Sequence, residues 1–158
     1  MKYFKDNNNN PFAYEDDAKD EYIKEGLTPI SESEFKELIA PKFDTLQTQK
    51  LGYINSSCKQ AIESGFASSA LGNSHTYQSE EVDQLNLIGA VSSGVAQPFK
   101  CSADGGETWE YKVHTNEQLK TVLGDGAIVK AEFLQKANNL KAQIARATTV
   151  AELDAIVW

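Results

Sequence analysis

The 158 residues are enough for one ordinary domain, or for a small domain with an appended arm. Fifteen basic residues against 23 acidic ones give a formal charge of −8, and the lysines and arginines are scattered along the chain. Such a negative field repels nucleic-acid phosphates and anionic lipid headgroups, so we expect neither nucleic acid nor a membrane surface as a partner.

The expected cellular compartment follows from the lack of a membrane-spanning segment and of a signal peptide in the sequence. No stretch approaches the roughly 20 apolar residues that span a bilayer, and the first residues have no signal-peptide pattern. We therefore expect a protein that is made and folded in a reducing cytoplasm. Cys58 and Cys101 are far apart in sequence and show no metal-ligand spacing, so they are predicted to be buried free thiols.

The first 40 residues are predicted to form an acidic arm rich in aromatic residues. Two short extended runs flank an Asn-rich segment that favours a turn, which predicts a hairpin. A two-stranded hairpin cannot bury five rings by itself, so they must dock on the rest of the chain or on a partner. We therefore take all five as candidate partner-binding residues: Tyr3, Phe4, Phe12, Tyr14 and Tyr22.

The arm is predicted to end in a short helix. Pro29 favours an extended segment at residues 28–30. Ser31 and Glu34 then form a capping-box signature, in which the Ser31 hydroxyl accepts a backbone N–H and Glu34 reaches back. The helix that follows should stop at Pro41. The composition changes near this point, so we divide the chain into an arm at 1–40 and a domain at 41–158.

The domain begins with a helix that Gly65 should close, because glycine suits the left-handed position there. Two short strands around residues 72–73 come next. A helix starting at residues 79–81 is predicted to have five apolar residues on its inner side: Val82, Leu85, Leu87, Ile88 and Val91. A hairpin is then predicted around the turn at residues 104–106. Its Trp109 and Tyr111, which share one face of a strand, are expected to belong to the core.

The last third is predicted to be helical. Thr115 can cap a first helix, which the segment Gly124-Asp125-Gly126 should interrupt. A long helix from about Ala127 to Arg146 follows, and a capping box at residues 149–152 opens a terminal helix that runs to Trp158. This order places mostly helices around two or three small antiparallel hairpins, which predicts an α+β fold instead of an alternating strand–helix enzyme.

No catalytic machinery is predicted. His75 and His114 lie 39 positions apart, and no flanking pattern pairs either with a cysteine. Where two carboxylates are adjacent in sequence, their side chains point about 100° apart on a helix. We therefore expect these pairs to lie on solvent-exposed surfaces. The glycine turns lack the spacing of a phosphate loop. We therefore predict no enzymatic activity, no metal site and no cofactor, and a function carried by a binding surface.

Two parts of the chain are similar to bacteriophage proteins. Residues 2–31 resemble the start of small tailed-phage proteins encoded beside tail-fibre genes. Residues 54–158 resemble a phage and prophage domain of unknown function. The matching segments of this second part are 61–66, 70–72, Tyr77, 83–87, Trp109, 114–115, 147–149, 152–153 and 156–158.

The resemblance implies a tail-fibre assembly factor or a minor tail component, and it brings no catalytic residues with it. The expected function is that of a structural protein associated with a tail fibre or baseplate, present in the host cytoplasm during assembly and then in the virion tail. One alternative is a chaperone for fibre assembly. Another is a hydrolase of envelope polymers, which would need two carboxylates roughly 5–10 Å apart in a cleft.

Overall fold

The computed structural model describes all residues, 1–158, and divides them into two compact units, Met1–Thr45 and Leu46–Trp158. Five α-helices and three small antiparallel sheets make up these units, so the predicted α+β class is confirmed. The sequence placed the division after residue 40, whereas the structure places it after Thr45. No helix combines the length and the apolar character that crossing a membrane would require.

The N-terminal unit contains a three-stranded sheet. Strand β1 (Lys2–Lys5) pairs with β2 (Pro11–Tyr14) on one side and with β3 (Thr28–Ile30) on the other, both antiparallel. The predicted hairpin is therefore confirmed, and the extended segment around Pro29 supplies the third strand. In the turn, Asp6 Oδ1 accepts hydrogen bonds from the backbone N–H groups of Asn8 and Asn10, as expected of an Asx turn.

A 3₁₀ turn (Asp20–Tyr22) and helix α1 (Glu32–Ile39) complete this unit. The Ser31 hydroxyl accepts the backbone N–H of Glu34 at 3.1 Å, as predicted. The other half of the predicted capping box is wrong. The Glu34 carboxylate lies 2.6 Å from Lys5 Nζ, where an ion pair with β1 replaces the reach back to Ser31.

The second unit begins within helix α2 (Phe43–Glu63), whose Ile54 and Cys58 are buried. Gly65 follows with φ of +96°, which confirms the predicted left-handed closure. The hairpin of β4 (Phe66–Ser68) and β5 (His75–Tyr77) comes next. A second hairpin is formed by β6 (Gln97–Cys101) and β7 (Glu110–His114). A single bridge between Thr76 and Ser102 joins the two hairpins.

Helix α3 (Glu81–Ser92) lies between the two hairpins in sequence, and its inner side differs from the prediction. Leu87 and Ala90 are buried and Val91 is half-buried, but the other three residues assigned to the core are exposed: Val82, Leu85 and Ile88. The helix is apolar on two opposite sides, and the side with Leu87 and Ala90 is the one that enters the core.

Helix α4 (Asn116–Arg146) runs without a break for 31 residues. Thr115 caps it as predicted, with its hydroxyl accepting the backbone N–H of Gln118. The predicted interruption at Gly124–Gly126 is wrong, because Gly126 is required for packing and not for a turn. A Cβ at position 126 would lie 2.7 Å from the ring of Phe66, which occupies the space that the missing side chain leaves.

The C-terminal half of α4 packs antiparallel to α2. Gln47 Nε2 donates to the Ile144 carbonyl oxygen, and Cys58 Sγ donates to the Phe133 carbonyl oxygen. Helix α5 (Val150–Ala155) has the predicted capping box of Thr149 and Glu152. It ends before the predicted Trp158, whose ring instead packs on Phe133 with centroids 6.3 Å apart.

The main core of the second unit lies where the first part of α4 meets α3 and the hairpins. Its buried members are Phe66, Tyr77, Leu87, Ala90, Cys101, Leu119 and Val122. Cys58 and Cys101 are both buried and unpaired, which confirms the prediction of free thiols.

Candidate functional site

The five aromatic residues predicted to bind a partner lie in the N-terminal unit, and the structure brings only some of them together. The rings of Phe4 and Tyr14 meet edge-on, with centroids 5.8 Å apart. Tyr3 packs instead on Phe35 of α1, with centroids 4.6 Å apart. Helix α1 thus covers part of what a hairpin alone would leave exposed.

Phe12 and Tyr22, the other two aromatic residues of this set, differ in how far they are exposed. Lys24 Nζ lies over the ring of Phe12, 5.0 Å from its centroid, and the Tyr14 hydroxyl accepts the backbone N–H of Lys24. These contacts leave Phe12 and Tyr14 half-buried. Tyr22 is 68% exposed, so it is the member of the set that offers most of its ring to a partner.

The sequence analysis missed a more exposed apolar surface on α3. Val82, Leu85 and Ile88 recur every three residues and are 65%, 62% and 48% exposed. This spacing places them on one side of the helix, which we call the outer face of α3. Ile88 also lines a small cleft with Leu123 and Ala127 of α4. A surface helix normally shows polar residues on its outer side, so this face is unusual.

A second exposed patch lies on the outer side of the β6–β7 hairpin. Tyr111 is 72% exposed and Val113 is also exposed, so the expectation that Tyr111 belongs to the core is wrong. Side chains alternate along a strand, and the inner side of β7 is taken by Lys112 and by the buried His114. Trp109 is half-buried, with Lys100 Nζ 5.6 Å from its ring centroid.

Both histidines belong to one hydrogen-bonded network beneath this hairpin. His114 Nδ1 lies 2.8 Å from the Lys112 carbonyl oxygen, which can only accept, so Nδ1 carries the proton. Nε2 therefore accepts the hydrogen bond of the Tyr77 hydroxyl, 2.9 Å away. Both side chains are fully buried. Burial lowers the pKa of His114 and raises that of Tyr77, which keeps the pair neutral at pH 7.

The same reasoning shows which ring nitrogen of His75 carries the proton. His75 Nδ1 donates to the Asn73 carbonyl oxygen, and Nε2 accepts from Lys112 Nζ at 3.2 Å. Lys112 also pairs with Glu110 at 2.9 Å. Every buried side-chain nitrogen and oxygen of this network has a partner. No group of three or more His, Cys, Asp or Glu side chains is placed to hold a metal ion. The arrangement joins the two hairpins, because Tyr77 bonds to His114 and His75 bonds to Lys112.

This network predicts that stability falls in mild acid. Because the folded-state pKa of His114 is below its usual 6.5, the unfolded chain binds a proton that the folded chain does not. Stability is therefore full above pH 6.5 and declines as the pH falls towards the folded-state pKa. Between pH 7 and 5.5 we expect a loss of up to about 1 kcal/mol in urea unfolding.

The control is His114→Gln, which keeps a side-chain acceptor for Tyr77 and cannot titrate. Its stability should change less over the same pH range, even if its absolute stability is lower. Equal pH dependence in both proteins would contradict the assignment to His114. Carboxylates with a lowered pKa, such as Asp104 and Glu152, do not contribute to this pH dependence. The stability that they provide is lost only below about pH 5, outside the measured range.

The structure is that of a small α+β protein that exposes two apolar or aromatic patches, one on α3 and one on the β6–β7 hairpin. Residues 45–157 match the model of the family described as a domain of unknown function (DUF4376), and the chain belongs to this family. The match begins one residue before the second compact unit. No curated protein and no solved structure matches the chain.

Proposed function

We propose that the protein works by binding another protein, and that this partner is a tail-fibre or baseplate component of a bacteriophage. The observation that supports binding is the outer face of α3. Three large apolar side chains lie there on one exposed helical face, although helices of this kind normally bury such a face. The phage setting rests on the resemblance of both parts of the sequence to phage tail-region proteins.

The charge around this face indicates what the partner should look like. Glu80 and Glu81 begin α3 and are exposed, so the apolar face has an acidic end. A matching partner offers an apolar groove with basic side chains at its rim, because complementary charge steers association and fixes the register. An exposed apolar patch with polar residues at its rim is the usual mark of a protein interaction site.

A charge placed on the outer face should weaken binding. With the full chain and the purified products of neighbouring tail genes, we expect Leu85→Glu to reduce affinity at least tenfold, or about 1.4 kcal/mol, in a calorimetric titration. The substitution keeps a good helix former at an exposed position, so the fold should survive. The control is Val157→Glu, at a residue 63% exposed outside α3, which should bind normally.

Removing residues 1–40 tests the N-terminal aromatic set in the same titration. If Tyr22 and its neighbours supply a second contact, residues 41–158 should still fold cooperatively but bind more weakly than the full chain. If residues 41–158 unfold or aggregate instead, the N-terminal segment is core and the binding site lies elsewhere. Unchanged affinity would remove the N-terminal set from the binding site. Unchanged affinity of Leu85→Glu would contradict the proposal for α3.

The chaperone role differs from the structural role in one observable. A structural component remains in purified virions in stoichiometric amount, whereas an assembly chaperone leaves. We propose the structural role and location in the virion tail, and quantitative mass spectrometry of virions separates the two.

A further inference from the structure

A polar groove in the second unit lies between α3 and the β6–β7 hairpin. It has a volume of about 390 Å³, which falls within the roughly 300–1,000 Å³ of small-molecule sites. Six of its eight lining side chains are polar, and the helix and both strands contribute to it. The outer face of α3 is apolar, so this groove is chemically different from the protein-binding face proposed above.

Several polar groups in the groove have no hydrogen-bond partner within the protein. These are the side-chain amides of Gln78 and Asn86 and the hydroxyl of Tyr111. Asp83 uses Oδ2 to accept the backbone N–H of Glu80, which leaves Oδ1 available. The Lys100 ammonium rests over Trp109 and makes no hydrogen bond. Five of the eight lining residues thus carry side-chain donors or acceptors that no other group of the protein uses.

The kinds of group present indicate the class of ligand. An amide offers a donor and an acceptor side by side, and a hydroxyl offers both, which matches the neighbouring hydroxyls of a sugar ring. The ring of Tyr111 is largely exposed and supplies a flat apolar surface on which the C–H face of a sugar can pack.

The charges in the groove limit the class of ligand further. Asp83 and Lys100 bring one negative and one positive charge into the groove, so neither an anion nor a cation is favoured overall. A phosphate would meet Asp83, and a cationic ligand would meet Lys100. We propose that this groove binds a neutral carbohydrate. Asp83 is the only carboxylate that lines it, whereas glycoside hydrolysis uses two, so the inference is recognition and not cleavage.

The test uses the full chain without any protein partner, so its outcome is independent of the proposed function. We would titrate glucose, galactose, N-acetylglucosamine, maltose and lactose, with inorganic phosphate as the anionic comparison, and follow amide and side-chain signals by two-dimensional NMR. We expect at least one sugar to shift the side-chain amide signals of Gln78 and Asn86 in a saturable way, and phosphate to leave them unchanged.

Two variants locate the binding. Tyr111→Ala removes an exposed ring and should preserve the fold while weakening sugar affinity at least tenfold. The matched control is Tyr53→Ala, which removes another exposed tyrosine outside the groove and should bind as the unaltered chain does. The inference is overturned if no sugar shifts these signals, if phosphate shifts them instead, or if both tyrosine variants bind alike.

Discussion

Replacing Gly126 with leucine should lower the free energy of unfolding by about 1–3 kcal/mol, the usual effect of overpacking a filled core. A Cβ at this position would stand 2.7 and 2.8 Å from two carbon atoms of the Phe66 ring. On one side the ring of Phe66 cannot retreat, because it stacks on the fully buried Tyr77 with centroids 5.8 Å apart. Chemical denaturation followed by circular dichroism measures the change.

Gly124→Leu is the matched control, because it makes the same substitution two residues earlier in the same helix. A Cβ at position 124 meets nothing within 4 Å, and the residue is exposed. Leucine forms helix better than glycine by up to about 1 kcal/mol, so this variant should be at least as stable as the unaltered chain. If the two variants shift stability in the same direction, the account of Gly126 is wrong.

Replacing Tyr77 with phenylalanine should lower the free energy of unfolding by about 1–3 kcal/mol, although it removes a single oxygen atom. The missing hydroxyl is the donor to His114 Nε2, and the histidine is fully buried. Water cannot reach that nitrogen to replace the bond, so the variant leaves a buried acceptor unsatisfied.

Tyr111→Phe is the control for this prediction. It removes the same atom from a ring that is largely exposed, so its effect should lie within about 0.5 kcal/mol of zero. Urea unfolding of both variants at pH 7.5, where His114 is neutral, gives the comparison. Similar stability of the two variants would mean that the Tyr77–His114 bond contributes nothing measurable.

The sequence predicted best those features that depend on neighbouring residues. The caps at Ser31, Thr115 and Thr149, the Asn-rich turn and the closing Gly65 each follow from contacts within a few residues, and the structure has all of them. The β6–β7 hairpin belongs to the same group, because its turn residues and strand residues are adjacent in the chain.

Features that depend on distant residues were predicted less well. The glycines at 124 and 126 look like a break to any local rule, and only the ring of Phe66, 60 residues away in sequence, explains one of them. Helix α3 has apolar residues on two opposite sides, and periodicity cannot say which side turns inward. The prediction therefore assigned residues of both sides to the core, although only Leu87, Ala90 and Val91 pack inward.

The aromatic residues of the N-terminal unit also make contacts that neighbouring sequence does not predict. Tyr3 belongs to the predicted set of partner-binding rings, but its ring packs on Phe35 of α1, and no spacing in the sequence predicts that contact. The polar groove could not be predicted either, because Gln78 lies in the loop after β5, Asn86 in α3 and Tyr111 in β7. No spacing in the sequence brings them together.

The unbroken course of α4 has a consequence for how the second unit folds. The first part of the helix supplies Leu119 and Val122 to the core beneath the hairpins. The second part, where Ala137 and Ile144 are buried, packs against α2. A helix of 31 residues is about 46 Å long and cannot melt in its middle without losing hydrogen bonds on both sides. The two packing regions therefore share a backbone and should unfold together, as one cooperative unit.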